Sequence, residues 1–501
     1  MAAPRSLTRA LLPLAAAVLA APLLGGLTAT PATSAAPTGP SDPAYTARDL
    51  RNIADAYARI TDGQLGNPAY LPALAQKIGK LSTAQLLAQA ATPTRLAITP
   101  GNLVPGWNAG NPLRDGWEGT RGEVQPVAFT NRYGALLRGK VWTPLADARD
   151  PYTGQRLRAP YPGVVITTGS VQGSQGMYEW LAQDLAERGY VVLTYDVQGQ
   201  GTSETLPHVG GPTDAVPFCN PLAAPLPEEM FGCAGVPSQQ LANFTVGTRD
   251  ALSFLLSTPR RPYAGPTSSD APVQEFNPAW KLLDRRPDPT PNAPGRTTRV
   301  AIIGHSLGAG AVSRVQATDR RVSTVIALDK LQSEETRPVV PALAVQSEYG
   351  FTVSPWFLAG GSSLRPQPSP QGPDPARERA TGFDAWRAQG VDSLLVVPRG
   401  STHLEYTDIP LALPASRYGQ ALTSVYIQRW LDHYLRDAAG VRPLLARSFR
   451  YLEPVGAGRW APVRLRRDPL LSFYHCSAYA LTDQRGTRRT DGDVTGVGCR
   501  D

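Results

Sequence analysis

The chain has 501 residues, 42% of them hydrophobic and 18% charged, with a net charge of +8. That apolar share excludes wholesale disorder and suffices for a large core, while 47 Gly and 49 Pro point to long irregular loops between compact elements. The basic residues, 44 Arg and 5 Lys, are scattered and form no aromatic-studded stripe, which argues against a nucleic-acid partner.

The first segment reads as an export address. Arg5 and Arg9 precede an uncharged run over 10–27, followed by the small residues Ala32-Thr33-Ser34-Ala35-Ala36. A positive start, an apolar stretch and a small-residue cleavage site are the parts of a secretory signal over 1–36. Cleavage near Ala36 and a secreted protein are expected. Pro13, Pro22, Gly25 and Gly26 make the same run a poor spanning helix, and no other stretch is long and apolar enough to cross a bilayer. Four cysteines permit three connectivities; proximity favours Cys219–Cys233 and Cys476–Cys499. Without CxxC spacing, structural disulfides in an oxidising compartment are expected, and no metal site.

Residues 37–122 read as an N-terminal extension. Helical apolar spacing runs over 42–60 and 73–91, and 98–118 is rich in Pro, Gly and Asn. The extension carries no chemical motif, and packing against the main domain is the expectation. From 123 the pattern changes. Segments 124–130 and 135–142 read as a hairpin about Asn131-Arg132-Tyr133-Gly134. An apolar strand over 163–168, a helix over 177–188 ended by Gly189, and a strand over 190–196 form a βαβ unit, which predicts a parallel sheet. Helices over 240–257, 308–316, 383–389 and 417–435 then alternate with strands over 299–304, 322–328, 342–346 and 393–397. The fold class expected is α/β, a mostly parallel doubly wound sheet over 123–440, with a Tyr- and Arg-rich tail over 441–501 that the second disulfide staples. Loops 197–239 and 349–382 follow strands and belong over the functional edge of such a sheet, whereas 259–298 enters a strand and belongs on the opposite edge. Tyr349, Phe351, Trp356 and Phe357 are candidates to wall a pocket there.

The sharpest chemical feature is Gly304-His305-Ser306-Leu307-Gly308, between a predicted strand and a predicted helix. Glycine on both flanks suits a tight strand-to-helix turn that thrusts the serine into an exposed, strained position. The Leu307 N–H points at the same spot, beside a helix N-terminus that favours developing negative charge. Ser306 is therefore a candidate nucleophile. It needs a base. Among five histidines, His305 sits inside the turn, His208 lies in an insertion, His433 is on the long helix and His475 adjoins a cysteine. His403, just past the 393–397 strand, is the candidate.

The run 163–203, the Ser306 turn and His403 together resemble the α/β-hydrolase superfamily, in particular secreted bacterial, actinobacterial-like esterases and lipases. Residues 185–196 followed by Gly199-Gln200-Gly201-Thr202-Ser203 are similar to its D-x-x-G-x-G-x-S segment. The likeness covers roughly 123–440. It implies an α/β-hydrolase fold and acyl-transfer hydrolysis of a small-molecule or lipid-like ester, with no cofactor. It also implies a second oxyanion donor just after the strand at 163–168, at the Ser170 N–H with Val171 as alternate. The acid departs from the family pattern, because Ser347-Glu348-Tyr349-Gly350 has glycine where an aspartate is expected. Asp329, ending the preceding strand, and Glu348 are the two candidates, with Asp329 favoured. A secreted serine aminopeptidase, using Glu204, Glu228, Glu229 or Glu348 to capture an amine, and a non-catalytic binding protein on the same scaffold are the rival readings.

Overall fold

The computed structural model describes residues 43–91, 104–170, 173–205, 239–266, 273–288, 298–334, 336–353, 355, 372–411, 413–436, 440–483 and 485–499. The expected hairpin opens the sheet as β1 (Gly122–Thr130) and β2 (Leu136–Pro144), paired antiparallel with Thr130 opposite Leu136. Its turn closes because the Asn131 Oδ1 accepts the N–H groups of Tyr133 and Ala135, while Gly134 supplies a positive φ of 88°.

Six strands then build the parallel centre: β3 (Gly163–Thr167), β4 (Val191–Tyr195), β5 (Val300–His305), β6 (Val322–Leu328), β7 (Ala342–Val345) and β8 (Ser393–Val396). They lie side by side in the order β4-β3-β5-β6-β7-β8. Every residue of these six is buried, as an inner strand covered on both faces requires. Side chains alternate between two cores. Val164, Ile166, Ala301, Ile303, Ile326 and Leu328 face one; Val165, Val300, Ile302, Val325 and Ala327 face the other.

Seven α-helices flank or precede the sheet among the described residues: α1 (Pro43–Ala56), α2 (Tyr70–Ala91), α3 (Glu179–Ala186), α4 (Leu241–Leu256), α5 (Leu307–Thr318), α6 (Asp384–Ala388) and α7 (Gly419–Leu435). Helices α3 and α7 cover the first face through Trp180, Leu181, Trp430 and Leu431; α4, α5 and α6 cover the second through Phe244, Leu255, Val312 and Trp386. Each such side chain contributes about 1.5–3 kcal/mol on full burial. None of the described helices is long and apolar enough to cross a membrane.

The sheet does not stop at β8. Beyond a two-stranded ribbon of β9 (Ser448–Gly456) and β10 (Arg459–Arg466), the chain returns as β11 (Ala478–Thr482), which pairs antiparallel with β8, and β12 (Arg488–Asp491), which pairs antiparallel with β11. The result is a ten-stranded mixed sheet, mostly parallel, with antiparallel strands at both edges. Cys476 and Cys499 bracket β11 and β12 and are joined by a disulfide. The other expected pair, Cys219 and Cys233, lies outside the described residues.

Candidate active site

The carboxyl ends of β3, β5, β6 and β8 bring the candidate residues together. Ser306 follows β5 directly and adopts φ 57° and ψ −121°, a conformation that costs on the order of 1–3 kcal/mol for a residue with a side chain. Its neighbours hold it there. A Cβ at position 304 would lie 2.1 Å from the Gly308 carbonyl oxygen, and one at 308 would lie 2.5 Å from that of Thr168. Both flanking positions must therefore be glycine, as the spacing predicts. The Ser306 N–H donates to the Leu328 carbonyl at 3.0 Å, tying the turn to the end of β6.

His403 reaches the serine from the loop after β8. Its Nε2 lies 3.0 Å from Ser306 Oγ and its Nδ1 lies 2.7 Å from Asp329 Oδ2. The loop is carried across β7 by the segment that follows that strand: Tyr349 N–H donates to the Ser401 carbonyl at 2.9 Å, and His403 N–H to that of Gly350 at 3.1 Å. Asp329 ends β6 with a positive φ of 40°. It also accepts from Ser347, through Oγ at 2.6 Å and N–H at 3.3 Å. Burial alone would raise its pKa; the hydrogen bond and charge of His403, with Lys330 and Ser347, outweigh that and bring it to about 2. Asp329 is thus a carboxylate, fully enclosed, aimed at the far nitrogen of His403.

Glu348, the other candidate acid, is placed elsewhere. It is buried and spans three segments: Oε2 accepts from Asn52 Nδ2 on α1 at 2.5 Å and from Gly400 N–H at 2.7 Å, and Oε1 accepts from Ser472 Oγ at 2.6 Å. It braces the loop that carries His403 without touching the imidazole. Desolvation raises its pKa despite these donors.

Leu307 opens α5, so its N–H has no acceptor within the helix and stands beside Ser306. Ser170 follows Thr168 and Gly169 at the end of β3. That turn packs on the serine: a Cβ at Gly169 would sit 3.2 Å from Ser306 Cβ. The Gly169 N–H is committed to Tyr178 Oη at 2.9 Å. Val171 lies outside the described residues.

Of the expected pocket residues, Phe351 stands edge-on to the His403 ring, 4.6 Å between centroids, and is 37% exposed. Tyr349 is instead buried against Tyr474, its hydroxyl accepting from Asn52 at 2.8 Å. Its ring is spent on packing α1 to the C-terminal segment. Trp356 and Phe357 lie outside the described residues, as do Glu228 and Glu229. Glu204 is buried, and its Oε2 accepts the Leu136 N–H at 2.8 Å. Among the described residues no group of three or more His, Cys, Asp or Glu is placed to hold a metal.

Two participants escaped the sequence reading. Ser347 as a second donor to Asp329 carried no signal beyond its adjacency to Glu348. Asn52 lies in an extension that shows no motif, and its role depends on a partner 296 positions away. No protein-family model matches the chain, and no curated protein gives a significant match.

Proposed function

We propose that the chain is a serine hydrolase of the α/β-hydrolase type that cleaves carboxylic esters through an acyl-enzyme on Ser306. The observation that carries this reading is the linear relay of Ser306 Oγ, His403 and Asp329 at 3.0 and 2.7 Å, with the serine on a strained turn at a helix N-terminus. Asp329 holds the imidazole with its proton on Nδ1, so that Nε2 is free to take the serine proton. Ser306 attacks the ester carbonyl, forming the Oγ–C bond as its proton passes to His403. The Leu307 and Ser170 N–H groups receive the oxyanion. The imidazolium then protonates the departing alkoxide, and water, deprotonated by His403, releases the acid from Ser306. No cofactor enters this scheme. A small-molecule or lipid-like ester suits the aromatic edge that Phe351 presents at the His403 ring.

We read the protein as exported after removal of 1–36, which the Cys476–Cys499 disulfide supports. The aminopeptidase alternative draws no support from Glu204 or Glu348, whose carboxylates are both engaged within the fold. An organophosphonate p-nitrophenyl ester tests the reading: a single adduct on Ser306, abolished in Ser306→Ala, is expected. Hydrolysis of p-nitrophenyl esters but not of aminoacyl p-nitroanilides should accompany it. An adduct mapped to another residue, or full esterase activity in the alanine variant, overturns the assignment.

A further inference from the structure

The histidine within the turn, His305, takes no part in the scheme above, yet it is fully enclosed beside the reacting groups. Its ring lies among those of His403, Tyr406 and Tyr178, at centroid distances of 4.7, 5.7 and 5.8 Å. Its Nε2 is 2.8 Å from the His403 carbonyl oxygen and its Nδ1 is 2.7 Å from Tyr178 Oη. These partners fix every proton. A backbone carbonyl only accepts, so Nε2 carries the hydrogen. In the neutral ring Nδ1 is then an acceptor, and the Tyr178 hydroxyl must donate to it. The same hydroxyl oxygen accepts the Gly169 N–H at 2.9 Å. Burial, and then the charge on His403, push the His305 pKa down to about 3, so the ring stays neutral over the working range.

One directional chain therefore runs from Gly169 N–H to Tyr178, from Tyr178 to His305, and from His305 to the carbonyl of His403. Its two ends are the turn beside Ser306 and the residue that faces Ser306 Oγ. Gln200 Nε2 holds the first end from its other side, donating to the Gly169 carbonyl at 2.8 Å. The Trp180 indole donates to the Tyr406 carbonyl at 3.1 Å, three residues beyond His403 in the same short helical turn. A buried pair serving only as filler would be apolar, since each polar atom enclosed here must find a partner or cost free energy.

We propose that Tyr178 and His305 are positioning residues that fix the oxyanion-binding turn and the His403 loop relative to one another, with Ser306 between them. The proposal rests on the reading of Ser306 as the nucleophile. Tyr178 and His305 are both fully enclosed and do not reach substrate; they act on the distance between groups that do. Misplacement of such groups by about 1 Å costs on the order of 10²-fold in rate.

The test uses the full-length protein, p-nitrophenyl butyrate as substrate and phenylboronic acid as a probe that becomes tetrahedral on the serine. Tyr178→Phe removes one oxygen and leaves both the Gly169 N–H and His305 Nδ1 unpaired. A fall in kcat of about 10–100-fold with KM little changed, and a matching loss of boronic acid affinity, are expected. The low-field proton resonance of the Asp329–His403 hydrogen bond should persist, since the link from His305 to His403 survives. His305→Asn does the reverse: its carbonyl oxygen can still accept from Tyr178, but the donor to His403 is lost. That resonance should then shift or vanish, with kcat again reduced. A purely structural role would lower the melting temperature of either variant and leave kcat, boronate affinity and the resonance as in wild type, which overturns the proposal. If wild type itself carries no phosphonate on Ser306, the esterase reading fails and this proposal with it. A labelled wild type beside unimpaired variants overturns the positioning role alone.

Discussion

Asp329→Asn is the perturbation that separates the two candidate acids. The substitution keeps the size and both hydrogen-bonding positions of a side chain that is fully enclosed between His403 and Ser347, so the fold should hold. It removes a charge that the structure places against His403 at 2.7 Å. Charge centres about 4 Å apart at an effective dielectric of ~20 interact by about 4 kcal/mol, which is on the order of 10³-fold in the rate of a step that creates the imidazolium. The amide adds a second fault. Turned with its nitrogen toward Nδ1, it donates there and forces the ring proton onto Nε2, facing Ser306 Oγ, where a base must have none. The two together bring the expected loss to about 10⁴ in kcat with KM little changed, the size seen when a buried triad aspartate is neutralised in a serine protease. Hydrolysis of p-nitrophenyl butyrate, with denaturant unfolding to confirm the fold, measures it. Because Asp329 is ionised down to about pH 2, its titration should leave no limb in the wild-type kcat/KM profile above pH 4. An asparagine variant that is folded and within about tenfold of wild type would refute both the assignment and the electrostatic reasoning behind it.

Two further outcomes are expected. Glu348→Gln replaces one of two oxygens that accept from Asn52, Gly400 and Ser472; it should cost about 1–3 kcal/mol of stability by denaturant titration and leave kcat within about tenfold, and a folded variant with a 10³-fold loss would make Glu348 a functional acid after all. His475, enclosed with Nδ1 donating to the Asp374 carbonyl at 3.0 Å, has its pKa pushed down to about 3 by burial and by Arg377. The unfolded chain binds that proton below about pH 6.5 and the folded chain does not until about pH 3. Stability tied to His475 is therefore full above 6.5 and is lost as pH falls toward 3, by about 1.4 kcal/mol per unit and about 5 kcal/mol in all. In His475→Asn the slope of unfolding free energy against pH should be shallower by that amount between pH 4 and 6; parallel curves would contradict it.

The contrast between Asp329 and Glu348 marks where the sequence stopped being legible. The apolar runs that became β3 to β8 are readable because an inner parallel strand is buried on both faces and shows it in every residue. Gly304 of the Ser306 turn is equally local, demanded by the Gly308 carbonyl of the turn itself, whereas Gly308 is demanded by the Thr168 carbonyl at the end of the neighbouring β3. The acid is different. Both candidates end or follow a strand on the same edge, and nothing within ten residues of either says which way it points. Glu348 is drawn aside by Asn52 and Ser472, 296 and 124 positions away, and those contacts exist only after the sheet has assembled.

The same physics hid what the two ends of the chain do. β11 is five residues of mixed character and β12 is the charged run Arg488-Arg489-Thr490-Asp491, which suits an edge strand that must not recruit another sheet but shows little hydrophobic alternation. Helix α1 shows only an amphipathic stripe. Yet Asn52 on that helix holds Glu348, Asp55 pairs with Arg399 at 2.5 Å, and Arg59 just beyond it pairs with Glu405 at 2.5 Å. Arg399, Gly400 and Glu405 flank His403 on either side. The loop bearing the candidate base is thus clamped from the N-terminal extension and, through Ser472, from the C-terminal segment, as well as from the sheet, where His305 at the end of β5 donates to the His403 carbonyl. A loop at the edge of a sheet has few neighbours of its own to fix an imidazole to a fraction of an ångström. Here part of that rigidity comes from segments in which the sequence shows no chemistry, because their contribution is to hold a residue that does.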